Sequence, residues 1–132
     1  MGDPSAIDVV QRLYSAVADH DLDAAAGCFA DDAVWLLPGT SCIAGTHRGW
    51  AAIRNNFLAK LDPLSGGTFR ARLLDVCGGD TYVVAVQHAT AQHDGRDLDV
   101  TACQLMRVEG RRITEVRGHD SDQAALDAFW QE

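Results

Sequence analysis

Few side chains in this sequence can move a proton near neutral pH, and two of them invite pairing. His88 stands in the middle of a run of Val, Ala and Thr, and Asp120 follows the strand-like run Arg111 to His119. A histidine titrates near neutrality, and a carboxylate bonded to it fixes its tautomer and raises its basicity, so the two predict an acid–base unit if their strands bring them together. The competing reading of His88 is a core histidine satisfied by a backbone or Thr partner. Asp122 is the other nearby carboxylate. It stands three residues ahead of an alanine-rich segment, and capping that helix is its first role, because a carboxylate there satisfies free backbone donors. His47, between Gly45 and Gly49, is placed to overhang a pocket mouth. Tyr14 recurs at helical spacing and either turns its hydroxyl inward or packs as core. Cys103 is expected to be a buried, inert thiol, since apolar surroundings suppress the thiolate.

Other chemistries lack their signatures. Cys28, Cys42, Cys77 and Cys103 lie far apart without a paired-cysteine cluster, and the histidines and carboxylates show no ligand spacing, so no metal is expected and the thiols should be reduced and buried. Gly66-Gly67 and Gly78-Gly79 are followed by neither a helix nor a lysine, which leaves no phosphate cradle and no expected cofactor. With 19 acidic and 11 basic side chains and a net charge of -8, the chain is unsuited to nucleic acid. No apolar run approaches the roughly 18 residues of a membrane span, no leader is legible, and Pro4 and Ala6 do not fit a lipidation signal after Met1-Gly2. The expectation is a cytoplasmic protein with no membrane partner.

The elements that must position these residues follow from periodicity. A length of 132 residues with 47% hydrophobic residues predicts one domain, 1–132, with a real core. Ile7, Val10, Leu13, Tyr14 and Val17 predict a helix from about Ser5 to Asp19, opened by a Ser5/Asp8 capping box. A turn at His20-Asp21 leads to a second helix over Asp21 to Ala30. A strand over Ala33 to Leu37 stops at Pro38-Gly39, and an irregular loop runs to Gly49. Trp50, Ile53, Phe57 and Leu61 mark a third helix, closed by Pro63 and Gly66-Gly67. Thr68 to Cys77, Thr81 to His93, Leu98 to Val108 and Arg111 to His119 then predict an antiparallel meander, and Ser121 to Trp130 a last short helix. Helices first and sheet afterwards predict an α+β fold with helices over one face of a curved sheet.

This order of elements, with Phe29-Ala30-Asp31-Asp32-Ala33-Val34, Leu37-Pro38-Gly39, Ala44-Gly45 and Arg48-Gly49, and with Arg112 to Val116, Asp122-Gln123 and Asp127 to Trp130 near the end, resembles the SnoaL-like branch of the nuclear-transport-factor-2-like (NTF2-like) superfamily. The resemblance covers nearly the whole chain. It implies a cone-shaped fold, a pocket for a small apolar molecule, and an acid–base aspartate near the end of the sheet, the region of Asp120 and Asp122. Val9 to Arg12, Asp21-Leu22-Asp23 and Phe29 to Ala33 are also similar to ketosteroid isomerase. That enzyme's oxyanion tyrosine, base and protonated aspartate fall on Leu13, Leu37 and Cys103, so steroid isomerisation of that design is excluded; a one-residue slip would put Tyr14 at the oxyanion position.

The same comparison turns Val84, Val86, His88, Thr90, Thr101, Cys103, Leu105, Val116, Gly118 and Asp120 into the cone. His88 and Asp120 are then the catalytic candidates, and Tyr14, Trp35, Leu37, His47, Phe57, Val86, Thr90, Thr101, Cys103, Leu105 and Val116 the ligand contacts. His93 and His119 fall on the outer face, as do Glu115 and Arg117. Ala89, Ala91, Val100, Ala102 and Met106 form an outer apolar stripe that implies a homodimer. The function so implied is a cofactor-free cyclase, isomerase, dehydratase or hydrolase acting on an apolar metabolite; the alternative is a hydrophobic-ligand-binding or dimerisation module.

Overall fold

A computed structural model describes residues 5–132; Met1 to Pro4, where the lipidation reading falls, lie outside the described residues. Helix α1 spans Ala6–Ala18 and starts on the expected capping box: the Asp8 amide donates to Ser5 Oγ at 3.2 Å, and the Ser5 amide donates to Asp8 Oδ2 at 3.1 Å. Val9, Val10, Leu13 and Ala16 are buried along one stripe. His20, at φ 56°, turns the chain, and Asp21 caps α2, Leu22–Ala26, by accepting from the Ala24 amide.

Helix α2 ends earlier than periodicity predicts, because Phe29 and Ala30 belong to strand β1, Phe29–Leu37. Tertiary pairing overrides alanine-rich propensity here: Phe29 is aligned with Ile113, the Ile113 amide donates to the Cys28 carbonyl at 2.7 Å, and the Phe29 ring stacks 5.4 Å from Trp50. The expected irregular stretch after β1 contains a short strand, β2, Gly45–Arg48, paired antiparallel through Trp35 with His47. The third helical segment is broken into α3, Trp50–Asn56, a 3-10 turn, Leu58–Lys60, and α4, Leu61–Leu64, with the break at Phe57, where φ is -132°.

Strands β3, Arg70–Gly78, β4, Tyr82–His93, β5, Arg96–Glu109, and β6, Arg112–Asp120, form the expected meander. All six strands make one sheet in the order β2-β1-β6-β5-β4-β3. The pair β1/β6 is parallel and the others antiparallel, so the sheet is mixed. Helix α5, Gln123–Phe129, is capped by Asp122, whose carboxylate accepts from the Ala125 amide at 3.0 Å. One sheet face is covered by helices and holds the core. The other is open.

Candidate functional site

Burial fixes which side chains face the helices. On β4 these are Val83, Ala85, Gln87, Ala89 and Ala91; on β5, Leu98, Val100, Ala102, Gln104, Met106 and Val108; on β6, Ile113, Val116, Gly118 and Asp120. The expected orientation therefore holds for β6 and is reversed for β4 and β5. Val84, Val86, His88, Thr90, Thr101, Cys103 and Leu105 lie on the open face. The stripe Ala89, Ala91, Val100, Ala102 and Met106, expected outside, is buried on the helix side, which removes the reason given for a dimer.

His88 and Asp120 thus stand on opposite faces. His88 Nε2 lies 2.6 Å from Asp99 Oδ1, one diagonal step away across the β4/β5 ladder. Cys103 and Cys77 are exposed rather than buried, Cys42 is half-buried, and all four cysteines are free. His47 does not overhang a mouth. It is buried on β2, with Nε2 2.8 Å from the Ile43 carbonyl oxygen and its ring stacked on Phe57. His119 is exposed on the open face, as expected, and Arg117 there donates to Glu115 at 3.2 Å. His93 has the helix-side parity at the end of β4 and is half-buried.

Between the helices and the sheet lies a two-lobed chamber. One lobe, of about 60 Å³, is bounded by Leu37, Pro38, Gln87, Gln104 and Asp120 and roofed by α5 through Gln123 and Leu126. The other, of about 50 Å³, is bounded by Leu13, Tyr14, Trp35 and Leu58. Phe57, Leu61, Phe69, Gln87 and Gln104 line both, so the two lobes are neighbours that share these walls. Four of the expected contacts, Tyr14, Trp35, Leu37 and Phe57, line this space. Val116 is buried in the core on the same side of the sheet.

Its polar groups are only partly satisfied. The Tyr14 hydroxyl donates to Gln87 Oε1, and burial pushes the Tyr14 phenol pKa up, so it stays a neutral donor. Gln104 is 6% exposed and its Oε1 has no partner among the described residues; Trp35 is also 6% exposed, and its Nε1–H is likewise unpaired. Buried groups of this kind are normally hydrogen-bonded. Gln104 keeps its place because its register partner is Gly118, where a Cβ would come within 3.3 Å of Oε1. Asp120, one diagonal step from Gln104, has its pKa raised, first by burial, with His119 pulling the other way and Asp127 adding to the rise. The roof is tied down by Asp127, whose Oδ1 accepts from the Thr40 and Ser41 amides at 2.9 and 3.2 Å and from Gln123 Nε2 at 3.1 Å. These bonds hold the Asp127 pKa low.

Gln87 and Gln104 were absent from the sequence expectation, yet β5 carried the signal. Asp97, Asp99, Arg107 and Glu109 share parity with Thr101, Cys103 and Leu105, and four charged residues on one face mark it as the solvent side. Among the described residues no group of three His, Cys, Asp or Glu side chains converges as a metal site, and no helix is long and apolar enough to cross a membrane.

Comparison with known proteins places this architecture. A family model described as the SnoaL-like domain matches residues 10–116. The Mycobacterium tuberculosis H37Rv protein named "Uncharacterized protein Rv0034" is 34% identical over 98% of this chain and 99% of its own. The structure of Bal32a, from a soil-derived mobile gene cassette, is 34% identical, covers 95% of both chains and superposes with a TM-score of 0.90. TerC, crystallised with polyporic acid, is 20% identical over 94% of this chain and 96% of its own, with a TM-score of 0.82, and shares the fold alone. NTF2-like proteins are among the other structural neighbours. With a capped first helix, a mixed sheet and a family match over most of its length, the chain belongs to the SnoaL-like domain family of NTF2-like fold.

Proposed function

We propose that this protein is a cofactor-free acid–base enzyme acting on a small, largely apolar metabolite that carries a carbonyl and a hydroxyl group, with Asp120 as the proton-transferring residue. The observation that carries this reading is a pair of buried, unpaired groups of opposite kind, the donor Trp35 Nε1–H and the acceptor Gln104 Oε1, in one chamber with Asp120 at its other end. A ligand carbonyl completes Trp35 and a ligand hydroxyl completes Gln104. A site built to hydrogen-bond both discriminates against analogues lacking either. Asp120, made more basic by burial, takes a proton from the carbon next to the carbonyl. The electron pair moves to the carbonyl oxygen, where the Trp35 N–H donates, and the proton returns from Asp120 to the product. Polyporic acid bound to TerC supports the view that this fold accommodates small organic molecules.

The test needs no knowledge of the natural substrate. Aryl methyl ketones that bind, as judged by tryptophan fluorescence, are incubated with the protein in D2O, and deuterium entering the methyl group is followed by NMR. Wild type is expected to accelerate exchange above buffer, Asp120→Asn to lose about a hundredfold or more of that acceleration, and His88→Ala to keep it. Binding without exchange above buffer would favour the second reading, a protein that holds such molecules without proton transfer.

A further inference from the structure

Three side chains on the helix side of the sheet stand in one row. Gln87 on β4 is in register with Ala102 on β5, and Ala102 with Asp120 on β6. Neighbouring strands lie about 4.8 Å apart, so the backbones of Gln87 and Asp120 are roughly 10 Å apart, with nothing taller than a methyl group between them in the row. In a second row on the same face, Gln104 stands between Ala85 and Gly118. Each long polar side chain is thus flanked across the strands by small residues.

The two ends of the Gln87 amide have different fates. Its Oε1 accepts from the Tyr14 hydroxyl, which fixes the end of the amide that faces Tyr14. Its Nε2 carries two N–H donors and has no partner among the described residues. Gln87 is half-buried, and its Nε2 is not sealed away as Gln104 Oε1 and Trp35 Nε1 are. Because Gln87 lines both lobes, this accessible donor is part of the chamber wall. A buried tyrosine needs a hydrogen-bond partner, and that structural demand accounts for Oε1. A hydroxyl or a backbone carbonyl would meet it equally well. It does not account for a free amide donor in one row with a carboxylate, across an alanine.

We propose that Gln87 is a substrate-binding residue of this site: its Nε2 donates to the ligand carbonyl beside Trp35, the adjacent carbon lies over Ala102 toward Asp120, and Tyr14 is the positioning residue that holds the amide. A carbonyl oxygen has two lone pairs and takes two donors. Gln87 lines the inner lobe with Trp35 and the outer lobe with Asp120, so it stands between the first donor and the base. The proton passes from carbon to Asp120 and the electron pair to the carbonyl oxygen; Gln87 transfers no proton, and its N–H bond tightens as charge develops on that oxygen. This inference rests on the reading of the chamber as a proton-transfer site and adds the residue that sets where the carbonyl sits.

The probe is acetophenone labelled with carbon-13 at the carbonyl, and the readouts are its bound carbonyl resonance and deuterium entry into its methyl group in D2O. Gln87→Met is combined with Tyr14→Phe so that no hydroxyl is stranded. In this double variant the bound carbonyl signal should move upfield of its wild-type position, as loss of a donor requires. Exchange at saturating ketone should fall about a hundredfold, while KM rises less than about tenfold, the worth of one net hydrogen bond. Tyr14→Phe alone keeps the amide but frees it to turn, and should give an intermediate signal; a wild-type signal in that variant would overturn the positioning role. His88→Ala, on the open face, should change neither readout. A double variant that matches wild type in both readouts would overturn the role of Gln87 and leave Asp120 as the proton-transferring residue. A carbonyl signal that moves as expected, with no exchange above buffer in wild type, would uphold the Gln87 donor and overturn proton transfer. Failure of acetophenone to bind would overturn the placement over Ala102, and exchange of bulkier aryl methyl ketones then decides the chamber reading separately.

Discussion

Replacing Gln104 with leucine should make the protein more stable and a poorer ligand binder at once. The Gln104 side chain is 6% exposed and its Oε1 has no partner; a buried acceptor left unmade costs roughly 1–3 kcal/mol. Leucine has a similar reach, carries no polar atom, and faces lobes of about 60 and about 50 Å³ that leave room for its branch. Burying the added apolar surface contributes up to about 0.8 kcal/mol for each methylene equivalent. Allowing for imperfect packing, the net gain should be about 1–2 kcal/mol, which for a domain of this size raises Tm by roughly 3–8 °C. Calorimetry of the two proteins measures it. In parallel, affinity for a hydroxyl-bearing aryl ketone should fall about three- to tenfold, the worth of one net hydrogen bond, while affinity for its methyl analogue holds or improves. This is the stability-for-function exchange expected where an active site carries unpaired groups. A variant that melts several degrees lower with unchanged affinity would refute the reasoning and make Gln104 a structural residue.

Three further outcomes follow from neighbouring contacts. Gln87→Leu should act in the opposite sense to Gln104→Leu, losing about 1–3 kcal/mol in denaturant titration, because it strands the Tyr14 hydroxyl that Gln87 accepts; adding Tyr14→Phe should recover much of that loss. The Asp120 pKa is raised in the fold, so its contribution to stability is fullest below the ordinary aspartate range and is lost as pH rises through the folded value. Asp120→Asn should therefore melt higher than wild type at pH 7, with the difference vanishing as pH falls below 4. Gly39 has φ 98°, and a Cβ there would run into Gln123 Nε2 and Asp127 Oδ1, so Gly39→Ala should cost about 2–4 kcal/mol from strain and collision and loosen the chamber roof, seen as faster amide exchange at Thr40 and Ser41.

The helices and the meander are legible in the sequence where local signals act alone: the Ser5/Asp8 box, the Asp122 cap and the glycine turns between strands each appear in the structure. What the sequence hides is decided by long-range pairing. Phe29 and Ala30 look helical after an alanine-rich run but are drawn into β1 by β6, and Gly45 to Arg48 become a strand only because β1 offers an edge. The candidate site was legible in part, through Tyr14, Trp35, Leu37 and Phe57 on the chamber wall and Asp120 at one end of it. His88 misled because β4 carries small or apolar residues on both faces, so its own alternation does not choose a side. The neighbouring charges of β5 do choose one, and they turn His88 outward.

Trp35 offers the most direct measurement of the central claim, that buried groups in the chamber wait for a ligand. Its indole N–H is read by proton–nitrogen NMR, with Trp35→Phe separating its signal from those of Trp50 and Trp130. Titration with an aryl ketone that binds should move the Trp35 indole proton downfield and slow its exchange with solvent, as a new hydrogen bond to the ligand carbonyl requires. A saturating ligand that leaves the Trp35 signal in place while shifting that of Trp50 or Trp130 would contradict the account.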